Sequence, residues 1–349
     1  MKKIGIITFH KAINYGAVWQ TYALSTYLQT KGFKVEVIDY FPKFLQKYHY
    51  QLPKKPISFV IRLLNIFQFN RFVKRKLPIS ANKFHSSEEL KKNCPVYDYY
   101  ICGSDQVWSS RITGNEWKPY FLDFVPNNLP KISYAASMGD NHLPEENKEY
   151  IKQQLAKFKK ISVREPFAKS ELETIGIKES EIVLDPTLLL DKAHYEEAGL
   201  SQSKEDYILI IDLSGSQLLK ETALKIKKET GLQIINISGS YRSYAKNKLA
   251  ISPVDWLSYI KNAKYVCINS FHGLVFSIIF NKNFFCIEQE NNKNNRALHL
   301  LENLNLNNRY VRNIDDININ ESIDYKSVNV KLDLLKDKSF DFLGKALNL

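Results

Sequence analysis

The chain has 349 residues, enough for about two domains, each with its own hydrophobic core. Hydrophobic residues make up 44% and charged residues 25%, which is typical of a soluble globular protein and excludes a disordered or fibrous chain. The charge is less ordinary, because 49 Lys and Arg against 37 Asp and Glu give a formal net charge of +12. This balance favours an anionic partner: nucleic acid, a phospholipid surface or a phosphorylated substrate.

The first part of the chain carries the pattern of a βαβ unit. Residues 4–9 form a short apolar run, typical of a strand buried on both faces of a parallel sheet. The run is too short for a secretory signal or a membrane span. Helical spacing follows from Tyr15 to a stop at Gly32. Further strands are predicted at residues 33–40, 99–102, 132–137, 161–163 and 182–184.

A charged connector at 194–206 precedes a second β/α series. Its strands are predicted at 207–213, 232–237, 265–268 and 284–287, and its helices at 216–230, 254–263, 273–280 and 297–304. Two such series predict an α/β protein with two Rossmann-like domains facing across a cleft, at residues 1–195 and 196–349. The last helix is expected to pack back on the first domain. The sequence has no G-x-G-x-x-G and no P-loop, which argues against a nicotinamide dehydrogenase or a nucleoside triphosphatase.

The first candidate site is the start of the first helix, at Asn14, Tyr15 and Gly16. A glycine here lets a ligand approach the free N–H groups of the helix, which favour anions. The alternative is a tight turn in which Asn14 only caps the helix. The residues alone do not decide between the two.

Two later strands also end in polar residues. Ser104, Asp105 and Gln106 follow one of them, where an Asp can take a proton from a sugar hydroxyl or cap the next helix. Arg164 follows the other, where a guanidinium can grip a carboxylate or phosphate, or pair with Glu165 for structure. Ligands of Rossmann-like folds lie at such strand ends.

The sharpest candidate is His272, within the sequence Asn-Ser-Phe-His-Gly at 269–273. Asn and Ser are good N-cap residues, so His272 is expected at a helix N-terminus, where it can bind an anion or act as general acid and base. A lone His is usually structural, but this one has Gly273 beside it and follows a strand. Arg296, after a polar loop that begins at Asn291, either reaches the same cleft or is a solvated charge.

The four cysteines show neither metal-ligand spacing nor a CxxC motif. They are Cys94, Cys102, Cys267 and Cys286. We therefore predict reduced core cysteines, a cytoplasmic protein and no metal site.

Several short segments together resemble the polysaccharide pyruvyl transferase family, in the family's order and over nearly the whole chain. They are Ile4-Gly-Ile-Ile-Thr-Phe-His, Asn14-Tyr-Gly-Ala, Gly103-Ser-Asp-Gln-Val-Trp, Tyr120-Phe-Leu-Asp-Phe, Ile132-Ser-Tyr-Ala-Ala-Ser, Ser162-Val-Arg-Glu, Leu184-Asp-Pro-Thr and Ser270-Phe-His-Gly. The resemblance implies a fold similar to the GT-B glycosyltransferases. It also implies transfer of a pyruvyl group from phosphoenolpyruvate to a sugar of a cell-surface or capsular polysaccharide precursor, as a ketal. Phosphoenolpyruvate is then a co-substrate, with no further cofactor.

The resemblance also implies roles for the candidate residues. It makes His272, Asp105 and Arg164 the catalytic set, with His272 near the donor as acid or phosphate ligand and Arg164 as an anion clamp. The donor side would consist of Ser270, Gly273, Arg164 and Arg296. The acceptor side would consist of Asn14, Tyr15, Gly16, Ser104 and Gln106.

One position departs from the better-understood branch of the family, which has an Arg where this chain has Ser270. A hydroxyl cannot replace a guanidinium against a doubly anionic ligand. Either another cation such as Arg296 substitutes, or the donor differs. The alternative enzyme is a GT-B-like glycosyltransferase with a nucleotide-sugar donor in the same pathway. A nucleic-acid-binding protein is suggested by the net charge alone, and we expect no nucleic-acid partner.

The net charge is concentrated at residues 41–87, which contain ten Lys and Arg and no Asp or Glu. Within this segment, residues 57–69 form an apolar stretch whose polar positions fall on one helical stripe. We predict a basic amphipathic insertion in the first domain, which either lies on an anionic membrane surface or packs its apolar face on that domain. Binding to a membrane surface would imply a peripheral enzyme on the inner face of the cytoplasmic membrane, acting on lipid-linked glycans.

Overall fold

The computed structural model describes residues 1–203, 205–289 and 295–349. It divides into two compact units. Unit 1 comprises Met1–Pro53, Phe69–Leu190 and Leu335–Leu349, and unit 2 comprises Lys54–Gln68 and Asp191–Leu334. The chain therefore passes into unit 2 at residues 54–68, returns to unit 1 at Phe69, and ends in unit 1 after it has formed the rest of unit 2.

Unit 1 is built on a parallel sheet, which has seven strands in the described part of the chain. The strands are β1 (Lys3–Ile7), β2 (Lys34–Tyr40), β3 (Ile79–Phe84), β4 (Tyr99–Cys102), β5 (Lys131–Ala136), β6 (Lys160–Val163) and β7 (Ser180–Ile182). Their order is β3-β2-β1-β4-β5-β6-β7, the order of a doubly wound Rossmann sheet. The central strands are apolar and buried because helices cover both faces of such a sheet.

The helices of the first 200 residues are mostly short. They are α1 (Tyr15–Thr30), α2 (Lys43–Tyr50), α3 (Pro56–Lys76), α4 (Ser87–Lys92), α5 (Ser110–Thr113), α6 (Lys148–Leu155), α7 (Pro166–Thr174) and α8 (Lys192–Glu196). Helix α1 begins where the sequence predicts, because the side chain of Asn14 accepts a hydrogen bond from the N–H of Ala17 at 3.3 Å. It ends before Gly32, whose φ of +83° suits glycine.

Unit 2 repeats the architecture with a second parallel sheet, ordered β10-β9-β8-β11-β12-β13 within the described residues. Its strands are β8 (Tyr207–Ile211), β9 (Gln233–Asn236), β10 (Lys246–Asn247), β11 (Tyr265–Ile268), β12 (Asn283–Ile287) and β13 (Tyr310–Val311). The helices are α9 (Gln217–Thr230), α10 (Pro253–Asn262), α11 (Phe271–Ile279), α12 (Asn295–Asn303) and α13 (Tyr325–Leu347). The prediction of two Rossmann-like domains is confirmed.

The elements differ from the sequence prediction in the basic segment and the connector. Residues 41–87 contain α2 and β3 as well as the predicted helix, α3, and α8 extends into the charged connector predicted at 194–206. The predicted polar loop from Asn291 lies, as far as residue 294, outside the described residues.

The basic segment is not an insertion in the first domain alone. Residues 54–68, which include the first part of α3, belong to unit 2. There the side-chain amides of Asn65 and Gln68 donate to the backbone carbonyls of Leu249 and Ala250, at 3.4 and 3.2 Å. The prediction that the whole segment belongs to the first domain is therefore corrected. The last helix, α13, is also divided, with Leu335–Leu349 in unit 1.

Within the described ranges, no helix combines the length and the apolar character needed to cross a bilayer. The apolar part of α3 comes nearest among the sequence candidates, but it carries Arg62, Asn65 and Gln68.

Each sheet has one point at which the strand order reverses, between β1 and β4 in unit 1 and between β8 and β11 in unit 2. Ligands of open α/β sheets bind outside the carboxyl ends of the strands at this switch point. The segments that follow these four strands contain most of the residues singled out by the sequence.

The close packing of β1 gives a test of the fold. A Cβ on Gly5 would lie 2.3 Å from the ring of Tyr97, whereas a Cβ on Gly344 in α13 would meet nothing within 4 Å. We expect Gly5→Ala to lower the free energy of unfolding by about 1–3 kcal/mol through overpacking. Gly344→Ala should raise it by up to about 1 kcal/mol, because alanine favours the helix. Urea titrations measure both, and an unchanged midpoint for Gly5→Ala would contradict this packing.

Candidate functional site

At the switch point of unit 1, the ends of β1 and β4 are joined by hydrogen bonds. The hydroxyl of Thr8 donates to the backbone carbonyl of Ser104 at 2.8 Å, and the side-chain amide of Gln20 donates to that hydroxyl at 2.9 Å. Gly103 makes this approach possible, since a Cβ there would lie 3.2 Å from Thr8 and Ile6. The loop that begins at Ser104 is thereby fixed against the sheet.

Asp105, the predicted proton acceptor, has a strained backbone. Its φ is +80°, and Ala135 on the adjacent strand β5 has a φ of +52°. Non-glycine residues adopt such angles at a cost of roughly 1–3 kcal/mol each, and they concentrate at functional sites. The two strained positions are neighbours, because Asp105 pairs with Ala136 in an isolated β-bridge. The half-buried Asp105 carboxylate accepts from the N–H of Gln106 at 2.8 Å.

Arg164, the predicted anion clamp, is buried in an ion pair. Its guanidinium donates to the carboxylate of Asp185 at 2.6 Å, and both side chains are at most 2% exposed. Burial disfavours the charge of Arg164, but Asp185, Glu165 and Asp105 outweigh it and raise the pKa above its usual value. The same carboxylate of Asp185 accepts from the hydroxyl of Ser104 at 3.4 Å. Arg164 and Ser104 thus meet at the carboxylate of Asp185.

The remaining acceptor-side candidates lie in two different parts of unit 1, the loop after β4 and the start of α1. Gln106 lies against Gly139, whose added Cβ would be 2.9 Å from the side-chain oxygen of Gln106. Asn14 caps α1, as the structural alternative proposed. The ring of Tyr15 lies 5.0 Å from that of Phe69, and Gly16 is buried in the first turn. Only Gln106 of these lies in the strained loop beside Asp105.

The sequence analysis missed a buried cluster of His10, Lys11 and Asp39 at the ends of β1 and β2. The Asp39 carboxylate, 2% exposed, contacts Nε2 of His10 at 3.0 Å and Nζ of Lys11 at 2.6 Å. Nδ1 of His10 faces the carbonyl oxygen of Thr8 at 3.1 Å, so each ring nitrogen lies beside an oxygen atom. Burial raises the pKa of Asp39, but hydrogen bonds and charges from His10 and Lys11 outweigh it and lower the pKa to about 2.

His10 and Lys11 of this cluster border a narrow surface recess. Tyr120 also lines the recess, and its fully buried hydroxyl has no hydrogen-bond partner among the described residues. Burial raises the pKa of Tyr120, so the phenol stays neutral and can donate or accept. Only the position of His10 and Asp39 at strand ends could have indicated this cluster from the sequence.

At the switch point of unit 2, a buried aspartate organises the ends of β8 and β11. One oxygen of Asp212 accepts from the side-chain amide of Asn269 at 3.0 Å and from the N–H of Gly215 at 2.9 Å. The other oxygen accepts from Nε of Arg242 at 2.8 Å. Arg242, which the sequence analysis did not identify, is therefore held beside the residue that precedes Ser270.

The Asn-Ser-Phe-His-Gly segment adopts the predicted helix start. Ser270 is the N-cap of α11, and its hydroxyl accepts from the N–H of Gly273 at 3.4 Å. His272 lies in the first turn, half-buried, with its ring 5.2 Å from that of Phe271. The guanidinium of Arg296 lies over the Phe271 ring, 5.5 Å from its centre. The structure thus brings His272 and Arg296 together around one aromatic ring.

A comparison with protein families matches the part of the chain that contains the segments after β4, β8 and β11. The sequence model of the polysaccharide pyruvyl transferase family matches residues 14–291, most of the chain. The protein belongs to the polysaccharide pyruvyl transferase family. A comparison with curated proteins gives no significant match.

Solved structures show the fold of this pyruvyl transferase family member. UDP-GlcNAc 2-epimerase from Neisseria meningitidis, bound to UDP-GlcNAc, matches with a TM-score of 0.50 and 9% identity, covering 99% of this chain and 94% of that one. A Listeria monocytogenes protein, provisionally assigned to the same enzyme class, has a TM-score of 0.52 and 9% identity over 96% and 90%. The glycosyltransferase SsfS6 of Streptomyces has a TM-score of 0.44 and 11% identity over 98% and 96%. The predicted GT-B-like fold is confirmed.

In this member of the family, no group of three or more His, Cys, Asp or Glu suitable for a metal occurs within the described ranges. The four cysteines are free thiols, and all but Cys94 are buried. Burial raises the pKa of each thiol, that of Cys286 to about 12, so these side chains are poor nucleophiles.

The ion pairs of Asp39 predict a pH dependence of stability. Because its pKa falls from 3.8 to about 2 on folding, the stabilisation is present above pH 4 and is lost as the pH falls towards 2. We expect Asp39→Asn to lower the free energy of unfolding at pH 7 by about 2 kcal/mol. The difference from wild type should shrink below pH 4. Asp206→Asn, which removes an exposed pair with Lys264, is the control and should change little. A pH-independent difference for Asp39→Asn would contradict the ion-pair explanation.

Proposed function

We propose that this protein transfers a pyruvyl group from phosphoenolpyruvate to two hydroxyls of a sugar in a cell-surface or capsular polysaccharide precursor, forming a ketal. Membership of the pyruvyl transferase family supports a transferase with this donor, and the contacts of His272 and Arg296 with Phe271 at the switch point of unit 2 supply groups that can bind its anionic parts. Arg296 supplies beside His272 the guanidinium that is missing at Ser270. A cytoplasmic location and the absence of a nucleic-acid partner remain predictions.

The reaction balances without a further cofactor. A proton adds to C3 of phosphoenolpyruvate, one sugar hydroxyl forms a bond to C2, and the second hydroxyl closes the ketal as the C2–O bond to phosphate breaks. Of the two hydroxyl protons, one replaces the proton used at C3 and the other leaves with the phosphate. The reaction therefore needs an acid near C3, a base near the hydroxyls and cations for the carboxylate and phosphate.

In this proposal the donor is bound by unit 2. His272, in the first turn of α11, protonates C3 or holds the phosphate. Arg296 binds an anionic group of the donor, with its guanidinium oriented by Phe271. Arg242 provides a second guanidinium, oriented by Asp212. Ser270 and Gly273 shape the helix start, where the Ser270 hydroxyl can also donate to the donor.

The acceptor is bound by unit 1. Asp105, held in a strained conformation and flanked by Gln106, accepts a proton from a sugar hydroxyl. Arg164 acts as a positioning residue, because Asp185 binds both Arg164 and Ser104. This role differs from the anion clamp that the family resemblance implies for Arg164. The basis for this role is that the guanidinium is at most 2% exposed and is held by Asp185.

The competing donor is a nucleotide sugar. The Neisseria meningitidis epimerase binds UDP-GlcNAc in the same fold, and a helix N-terminus with two arginines also suits a diphosphate. Equilibrium binding separates the two. Saturable phosphoenolpyruvate binding supports our proposal, and nucleotide-sugar binding without phosphoenolpyruvate binding overturns it.

The reaction itself is tested by mass spectrometry. Lipid-linked oligosaccharides incubated with protein and phosphoenolpyruvate should gain the mass of pyruvate less water, with one phosphate released per product. Phosphate release without a change in mass, or no product across a panel of acceptors, would contradict a ketal-forming transferase.

Variants of the donor side test the roles of His272 and Arg296. We expect His272→Gln to reduce kcat by about a hundredfold or more, the usual contribution of a general acid. Arg296→Gln should lower kcat/KM for phosphoenolpyruvate roughly tenfold to a hundredfold, through loss of a charge-assisted contact. Arg312→Gln is the matched control, since Arg312 is an exposed arginine of the same unit paired with Glu288.

Circular dichroism and thermal melting should show that all three variants fold like wild type. Near-normal turnover of His272→Gln would exclude its proposed role. Equal effects of Arg296→Gln and Arg312→Gln would mean that only the overall positive charge matters.

A further inference from the structure

Helix α3 exposes its apolar side. Ile57 is 78% exposed, Val60 54% and Phe67 64%, and Leu64 lies between them on the same stripe. Their spacing of three or four residues places them on one face of the helix. Single exposed apolar residues are ordinary on a protein surface, but a continuous stripe of them marks an interaction site.

The polar side of the same helix faces the protein. Arg62, Asn65 and Gln68 are partly buried, and the amides of Asn65 and Gln68 donate to the carbonyls of Leu249 and Ala250. The arrangement is the reverse of a helix that packs an apolar face on a core. The alternative in which the apolar face packs on the first domain is therefore wrong for residues 57–67.

Basic residues continue the exposed stripe. Arg71, Lys74 and Arg75 are exposed, and helical spacing from Phe67 places them on or next to the apolar stripe. Further along, Phe69, Phe72 and Val73 are buried, so this end of α3 is anchored in unit 1. The helix thus presents an apolar surface at residues 57–67 and a cationic surface at residues 71–75.

We propose that the exposed side of α3 binds the surface of an anionic phospholipid bilayer, with Ile57, Val60 and Phe67 inserted among the acyl chains. Apolar side chains beside Lys and Arg are the combination that interfacial helices use. Charge complementarity selects this occupant, because residues 41–87 contain ten Lys and Arg and no Asp or Glu. A second copy of the chain would bring two such cationic segments together and would be repelled.

The proposal does not depend on the pyruvyl transfer reaction. It assigns a surface within residues 41–87, the segment that carries ten Lys and Arg and no Asp or Glu. If the proposed reaction also holds, the helix places the enzyme where lipid-linked glycans are available.

Co-sedimentation of the full chain with vesicles tests the proposal. We expect binding to vesicles of phosphatidylcholine with phosphatidylglycerol, weak binding to phosphatidylcholine alone, and a decrease with added salt. No glycan or phosphoenolpyruvate is present, so the outcome is independent of the enzyme's reaction. Equal binding to both kinds of vesicle, or binding to neither, would overturn the proposal.

Two sets of substitutions separate the contributions of the apolar and the basic residues of α3 to vesicle binding. Changing Ile57, Val60 and Phe67 to Ser should weaken vesicle binding roughly tenfold or more, through loss of buried apolar area. The matched control changes Val330 and Leu334, the exposed apolar residues of α13, to Ser and should have no effect.

Changing Arg71, Lys74 and Arg75 to Gln should weaken binding on the order of a hundredfold at low salt. Changing the exposed Lys227, Lys228 and Lys326 to Gln is the control of equal charge. Equal loss in both sets would show that the net charge, not α3, binds the membrane. A dimer in analytical ultracentrifugation that is disrupted by the Ser variant, without vesicle binding, would identify a second copy as the occupant and refute the proposal.

Discussion

The carboxyl ends of both sheets depend on buried aspartates that are neutralised by basic side chains. Asp39 pairs with His10 and Lys11, Asp185 with Arg164, and Asp212 with Arg242. In unit 1, His10, Lys11 and Arg164 each belong to one of these pairs, and Arg242 does so in unit 2. A carboxylate taken out of water is costly unless it is paired and hydrogen-bonded. The positions of the cations follow from this constraint, and with them the electrostatic character of each switch point.

The aspartates also fix the loops that carry the candidate chemistry. Asp185 holds Arg164 and Ser104 together, and Asp212 holds the loop before α9 and the amide of Asn269. Removing any of these acids would release a loop as well as a charge. The half-buried Asp105 differs, since its strained backbone pairs with β5 and its carboxylate forms no salt bridge with the residues that the structure describes. This difference is why we assign the proton transfer to Asp105 and positioning to Arg164.

The sequence predicts elements and faces well because they depend on local spacing. Strands β4 and β11 and the start of α1 lie where the apolar runs and the cap at Asn14 place them. The sequence does not predict which charged residues form ion pairs. Asp212 and Arg242 are 30 residues apart, and each is an unremarkable charge in its own segment. The same holds for His10 and Asp39, which become a pair only when β1 and β2 lie side by side.

Helix α3 shows more clearly that periodicity alone does not decide which side of a helix faces the protein. The stripe of polar residues was visible in the sequence, and burial of apolar surface normally decides that the opposite stripe faces the core. Here the polar stripe faces the protein, because Asn65 and Gln68 bind carbonyls at Leu249 and Ala250, more than 180 residues away. An exposed apolar stripe is unfavourable in water, and stripes of this kind typically mark interaction sites. The cationic residues beside the stripe repel a like-charged copy of the chain, and attraction between these cations and anionic headgroups is the interaction that can offset the exposure.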